Sequence, residues 1–144
     1  MASSDQTEND SAKMLQLPRY AQSMGIKVSE YEDGLPILSI EFSSIIEGRP
    51  GAFHGGATSG LLENAGYAAL RAVLHAEDRD PQLKPINVTV QFLSAGKTKL
   101  TYAKGRITRL GRRNANVWVE AWQDDRSRPI ATAVMNILMA DRPE

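Results

Sequence analysis

From Ala57 to about His75 the chain places Leu61, Leu62, Ala65, Tyr67, Ala68, Ala69, Leu70, Ala72, Val73 and Leu74 on nearly every side of a helix. A helix that is apolar almost all round is buried, not laid on a surface, so the rest of the chain must wrap it. The wrapping material is β. Ile26–Tyr31 and Leu35–Phe42 read as strands joined at Asp33-Gly34, a hairpin signal. After the helix, the run from Ile86 to Leu93 alternates Ile86, Val88, Val90 and Phe92 with polar residues, and Lys99–Leu110 is a weaker strand pattern. Asn114–Trp122 sets Ala115, Val117, Val119 and Ala121 against Asn116, Trp118, Glu120 and Trp122. Ile130–Met139 is apolar on both faces, as in a central strand.

Turn signals at Ala95-Gly96, Leu110-Gly111 and Asp124-Asp125 predict antiparallel neighbours. The expected architecture is α+β: a curved antiparallel sheet of about six strands around one long central helix. A short N-terminal helix precedes it. Met14, Leu15, Leu17, Tyr20, Ala21 and Met24 could line one side, its regular part starting near Pro18 and ending at Gly25. Residues 1–11 lack apolar residues that could pack and are expected to be a disordered tail, with a single domain over 12–144.

Composition narrows the chemistry. Lys plus Arg and Asp plus Glu are each 17 of 144 residues, so no global field draws in nucleic acid or an anionic membrane. With no cysteine, disulfides, thiolate metal sites and a cysteine nucleophile are excluded. The two histidines lack ligand spacing, so neither a metal nor another cofactor is expected. The polar start has no signal-peptide core and no run is long enough to cross a membrane; a cytoplasmic protein is expected.

The chemistry-bearing stretch is His54-Gly55-Gly56, which leads straight into the apolar helix. A helix N-terminus offers free N–H groups and partial positive charge, and glycine lets another molecule approach the backbone. Gly55 and Gly56 therefore either make only the tight bend into the helix or form a pocket for a polarised carbonyl. Glu63 is the single acid of that helix. It could pair with Arg71 or a sheet arginine, it could join Asn64 and Tyr67 in one exposed stripe, or it could be a reactive carboxylate. From Gly56 to Glu63 is about 10 Å along the helix axis, too far for one chain to bring both to one carbonyl. In a two-fold dimer with antiparallel helices, the glycines of one chain could face Glu63 of the other. Lys104, Arg106, Arg109, Arg112 and Arg113 cluster around Gly111, as a solvated hairpin or as a dock for phosphates.

The HGG sequence at a helix start, with a glutamate nine residues after the histidine, resembles the hotdog-fold acyl-CoA thioesterases. The phenylacetate-degradation-type and 4-hydroxybenzoyl-CoA enzymes are the nearest in pattern. The resemblance covers about Leu35 to Met139. It implies hydrolysis of a small, aromatic or medium-chain acyl-CoA to a carboxylic acid and free coenzyme A. Glu63 would be nucleophile or general base, Gly55 and Gly56 would polarise the carbonyl, and His54 would support the loop. Tyr67 would shape the substrate site, and Gly111, Arg112 and Arg113 would meet the phosphates of coenzyme A.

The family often carries Asn or Gln six residues before the histidine. Here Gly48 stands there, with Asn64 and Asn87 as candidates to take over its role. The resemblance also implies at least a homodimer and commonly a homotetramer. The alternatives are a non-catalytic acyl-CoA-binding protein and an enoyl-CoA hydratase-like relative on the same fold.

Overall fold

A computed structural model describes residues 16–143. The expected tail over 1–11, and the part of the N-terminal helix before Gln16, lie outside these residues. The first helix, α1, is Arg19–Ser23, starting directly after Pro18 and ending at Met24 and Gly25, whose φ is +85°. It precedes the hairpin of β1 (Lys27–Glu32) and β2 (Leu35–Ile40). Asp33 and Gly34 both have positive φ, the backbone that a two-residue hairpin turn with right-handed strand twist demands.

The long helix, α2, spans Gly55–Ala76. It is followed by β3 (Gln82–Phe92), β4 (Thr101–Leu110), β5 (Asn114–Trp122) and β6 (Ala131–Ala140). The six strands form one antiparallel sheet in the order β1-β2-β4-β5-β6-β3, and α2 packs across β2, β4 and β5. The inward residues of β5, Ala115, Val117, Val119 and Ala121, are fully buried against it, as their alternation predicts. At the crossing with β4 the approach is close. A Cβ on Gly105 would stand 3.0 Å from the Ala65 carbonyl oxygen, from Ala69 Cβ and from Gly66 Cα. A Cβ on Gly66 would fall 2.2 Å from Met135 Sδ. Two glycines, far apart in sequence, thus set the helix-to-sheet distance.

The structure corrects three expectations. First, the turn signal at Ala95-Gly96 does not make β3 and β4 neighbours. β3 pairs with β6, so the chain crosses from one edge of the sheet to its middle. The backbone there is committed elsewhere: Leu93 and Ser94 N–H donate to the Ile130 carbonyl, and the Gly96 carbonyl accepts from Phe53 N–H. Second, β3 begins at Gln82, four residues earlier than the alternation indicates. Pro85 lies inside it, and the register slips between Pro85 and Asn87. A proline without an N–H is tolerated on this edge strand, next to a bulge. Val88 and Val90 pack on the core, whereas Ile86 and Phe92 stay more than half exposed. Third, α2 is not covered all round. Ser59, Glu63 and Tyr67 are half-buried, and Arg71 and His75 are exposed. Spaced by four residues, they form one open stripe along the helix.

Candidate active site at the start of the long helix

The loop before α2 is a tight hairpin. Glu47 and Phe53 form a bridge, and Arg49-Pro50-Gly51-Ala52 is a turn closed by Ala52 N–H on the Arg49 carbonyl, with Gly51 at φ +83°. Proline then glycine at the two central positions suits a type II turn. His54 leaves this hairpin with its N–H on the Ile46 carbonyl and becomes the N-cap of α2.

Its ring does the capping. Nδ1 accepts the Gly56 N–H at 2.9 Å, so the proton of a neutral ring resides on Nε2. The His54 carbonyl accepts from Ala57 and Thr58 N–H at 2.9 and 3.2 Å. Among the described residues no acceptor takes the Gly55 N–H. The helix terminus thus keeps one free donor, on Gly55, while the Gly56 N–H is engaged by His54.

That donor borders a cleft of about 520 Å³, lined by Arg49, Phe53, Gly55, Thr58, Phe92 and Ser94. The Phe92 ring edge lies over the glycine, 3.5 Å from where a Gly55 Cβ would be. Gly48 lies in the cleft wall. A Cβ there would stand 3.0 Å from His54 Cα and 3.3 Å from His54 N, so the loop has closed into the space a side chain would need.

Neither asparagine considered as a replacement reaches this cleft. Asn64 is buried and donates from Nδ2 to the Gly60 carbonyl at 2.8 Å. Asn87 is on β3, where its Oδ1 accepts from Asn136 Nδ2 at 2.7 Å. Arg49, Thr58 and Ser94 are the polar cleft residues that sequence reasoning missed. Their types are common in loops, and only the fold brings the segment around Ser94 against the helix start.

Glu63 stands on the open stripe, roughly 12 Å along the axis from Gly55. It has no ion-pair partner among the described residues, and Arg71, two turns on, does not pair with it. In one chain it is half-buried, less enclosed than an acid in an all-apolar helix suggests. Tyr67, one turn further, has its phenol pushed above the usual 10.0, first by burial and then by the Glu63 charge, with Arg71 opposing. It stays protonated at neutral pH and can donate a hydrogen bond.

The Gly111 turn lies at the other end of the molecule. Gly111 N–H donates to the Asn114 carbonyl, and Arg112 and Arg113 are exposed beside a second cleft of about 390 Å³. Arg79, just past the end of α2, donates to the Arg112 carbonyl. The arginines are thus near the helix C-terminus, roughly 30 Å from the cleft at its N-terminus by strand rise along β3. Trp118 and Trp122 line a third cleft, beside β4, with Lys104 and Arg126, and Arg126 stacks 4.5 Å over the Trp122 ring. Among the described residues no three metal-ligating side chains cluster, and no helix is long and apolar enough to cross a membrane.

The profile of the family described as acyl-CoA thioesterase N-terminal domain matches residues 47–138, well over half of the chain. The chain belongs to this family. The match takes in the hairpin loop, the capped helix start, Glu63 and the arginine turn. Solved structures agree with the fold of this thioesterase. A Chromobacterium violaceum protein is 28% identical, with 95% of this chain and 94% of that one aligned at a TM-score of 0.71. A Shewanella oneidensis protein related to the thioesterase superfamily is 19% identical, covering 96% and 100% of the two chains, with a TM-score of 0.78. A mutant of the phenylacetic acid degradation protein PaaI from Thermus thermophilus is 16% identical, covering 85% and 99%, with a TM-score of 0.72. No curated protein matches the chain in sequence. The fold is the hotdog fold of these proteins, and the chemistry of the family is thioester hydrolysis.

Proposed function

We propose that this thioesterase hydrolyses an acyl-CoA to a carboxylic acid and free coenzyme A at a site shared by two copies of the chain. One observation carries the reading. The free Gly55 N–H borders a cleft, and the unpaired Glu63 carboxylate stands on the open stripe of the same helix, too far along it to reach that cleft. Two such stripes packed antiparallel solve the geometry. With Gly55 of one chain opposite Glu63 of the other, the two-fold axis crosses near Ser59, midway between them. Apolar surface supports the pairing, since Ile86, Phe92 and Leu93 on and beside the edge strand β3 are each more than half exposed.

In this arrangement the thioester carbonyl oxygen accepts the Gly55 N–H, at the positive end of the helix, where charge develops as the carbon becomes tetrahedral. Glu63 of the other chain attacks that carbon directly, and water then hydrolyses the resulting mixed anhydride to release the acid and restore the carboxylate, or it takes the proton of an attacking water and returns it to the departing thiolate. Collapse breaks the carbon–sulfur bond and releases the thiolate of coenzyme A. His54 acts through the loop: its ring occupies the Gly56 N–H and leaves Gly55 as the donor. Tyr67, protonated and one turn from Glu63, lines the substrate side. With the loop closed at Gly48, the Thr58 and Ser94 hydroxyls are the cleft's candidates for placing water. Antiparallel pairing also carries the partner's helix C-terminus past Gly55, bringing the partner's Arg112 and Arg113 toward the cleft mouth as a dock for phosphates.

The test is thiol release from an acyl-CoA panel by wild type and Glu63→Ala, with the oligomer checked in both. Turnover in wild type and a loss of at least about a hundredfold in Glu63→Ala, with the oligomer intact, is expected. Unchanged turnover in the variant would remove Glu63 from the reaction.

A further inference from the structure

The N-terminal helix lies outside the residues that the family profile matches, yet it reaches the helix that carries Glu63. α1 docks on α2 at Gly60. A Cβ at Gly60 would stand 3.3 Å from Met24 Cε, 3.4 Å from Met24 Sδ and 3.7 Å from the Tyr20 hydroxyl. The thioether and the phenol tip therefore occupy the hollow that this glycine leaves on the helix. Gly60 and Glu63 are three residues apart and are neighbours on the helix surface, about 5–6 Å apart at Cβ. On the other flank Asn64 is tied to the Gly60 carbonyl.

Tyr20 touches the helix with its tip while the residue as a whole is 62% exposed, and its hydroxyl has no hydrogen-bond partner among the described residues. A large aromatic side chain is thus held at its tip against Gly60, one helical turn from Glu63, and is mostly uncovered in a single chain.

We propose that Tyr20 and Met24 form the inner wall of the acyl pocket and set the length of acyl group that the enzyme accepts. The inference rests on the shared-site reading above. With the two-fold axis near Ser59, Gly60 lies on the axis side of Glu63. The bulky coenzyme A portion can lie only on the outer side, toward Tyr67 and Arg71. The acyl group then runs inward from the carbonyl, past Glu63, and meets the Tyr20 ring and the Met24 thioether about one helical turn further on. A flat ring backed by a polarisable sulfur accepts a compact acyl group, up to about the size of one aromatic ring, and stops a long straight chain.

The experiment compares wild type, Tyr20→Ala and Tyr20→Trp in two ways: hydrolysis of butyryl- and dodecanoyl-CoA, and calorimetric binding of S-butyl- and S-dodecyl-CoA, thioethers that cannot be hydrolysed. Tyr20→Ala is expected to raise the dodecyl-to-butyl ratio about tenfold or more in binding and in kcat/KM, because added methylenes find apolar surface. Tyr20→Trp is expected to lower it. Ratios unchanged in both variants would overturn the wall. The thioethers keep the two claims apart: absent hydrolysis with a shifted binding ratio would remove the proposed reaction and leave the wall standing.

Discussion

For His54 the sequence marks a residue next to a helix start, and the structure shows what its side chain does there. Its Nδ1 holds the Gly56 N–H, a capping bond usually supplied by Asn, Asp, Ser or Thr. His54→Ala is expected to cost about 1 kcal/mol of stability and to lower kcat, whereas His54→Asn should recover most of the stability. Thermal melts with thiol-release assays check this, and equal loss in both variants would argue against a capping role.

Gly48 makes the opposite point. The family pattern suggests that a side chain at this position helps catalysis, but here a Cβ would stand 3.0 Å from His54 Cα. Gly48→Asn is therefore expected to destabilise the loop by about 1–3 kcal/mol and reduce turnover. A more active Gly48→Asn enzyme would contradict the closed loop. The sequence reveals which residue departs from the pattern; it cannot reveal that the loop has filled the gap.

At the scale of elements, local signals and the hairpin pairings they set were legible, and the long-range pairing of β3 was not. Pro18 and Asp33-Gly34 each fix backbone dihedrals within two or three residues, and each marks the helix start or turn it predicts. Ala95-Gly96 also marks a bend, but a bend says nothing about which strand lies beside the next, and β3 goes to the far edge of the sheet beside β6. The Gly66–Gly105 approach is invisible for the same reason, since its partners are distant in sequence. Gly105→Ala should force α2 away from β4 and cost about 1–3 kcal/mol in denaturant unfolding. A neutral change would mean that the helix is not seated so closely.

The β1 edge is tied down electrostatically. Arg126 and Lys104 both donate to the Glu32 carboxylate and lower its pKa from an ordinary 4.5 to about 2. A lowered pKa stabilises the fold above the ordinary value and is lost as pH falls toward 2. Glu32→Gln should therefore melt earlier than wild type at neutral pH, with the difference shrinking between pH 4.5 and 2. A difference that is constant with pH would mean that the charge is not the cause.

For the whole molecule the two ends of α2 matter together. The free Gly55 donor is at one end and the arginine turn beside the other, with Glu63 between them on a stripe that the sheet and α1 leave open. One chain holds these parts apart; an antiparallel pair would assemble them twice. The one-dimensional pattern was enough to see that Gly56 and Glu63 are too far apart on one helix. It could not show that the stripe is open, because openness depends on where the sheet and α1 end.

The most direct test of the shared site is complementation between two disabled chains. Glu63→Ala removes the carboxylate. Gly55→Pro removes the N–H at a first helical position that tolerates proline, after a His54 already extended at ψ 136°. Each variant alone should be inactive. Unfolded and refolded together, half of the dimers are mixed, and each mixed dimer has one site with both an intact Gly55 and an intact Glu63, so about a quarter of wild-type activity should return. Mixed dimers that form but remain inactive would contradict a site built from two chains.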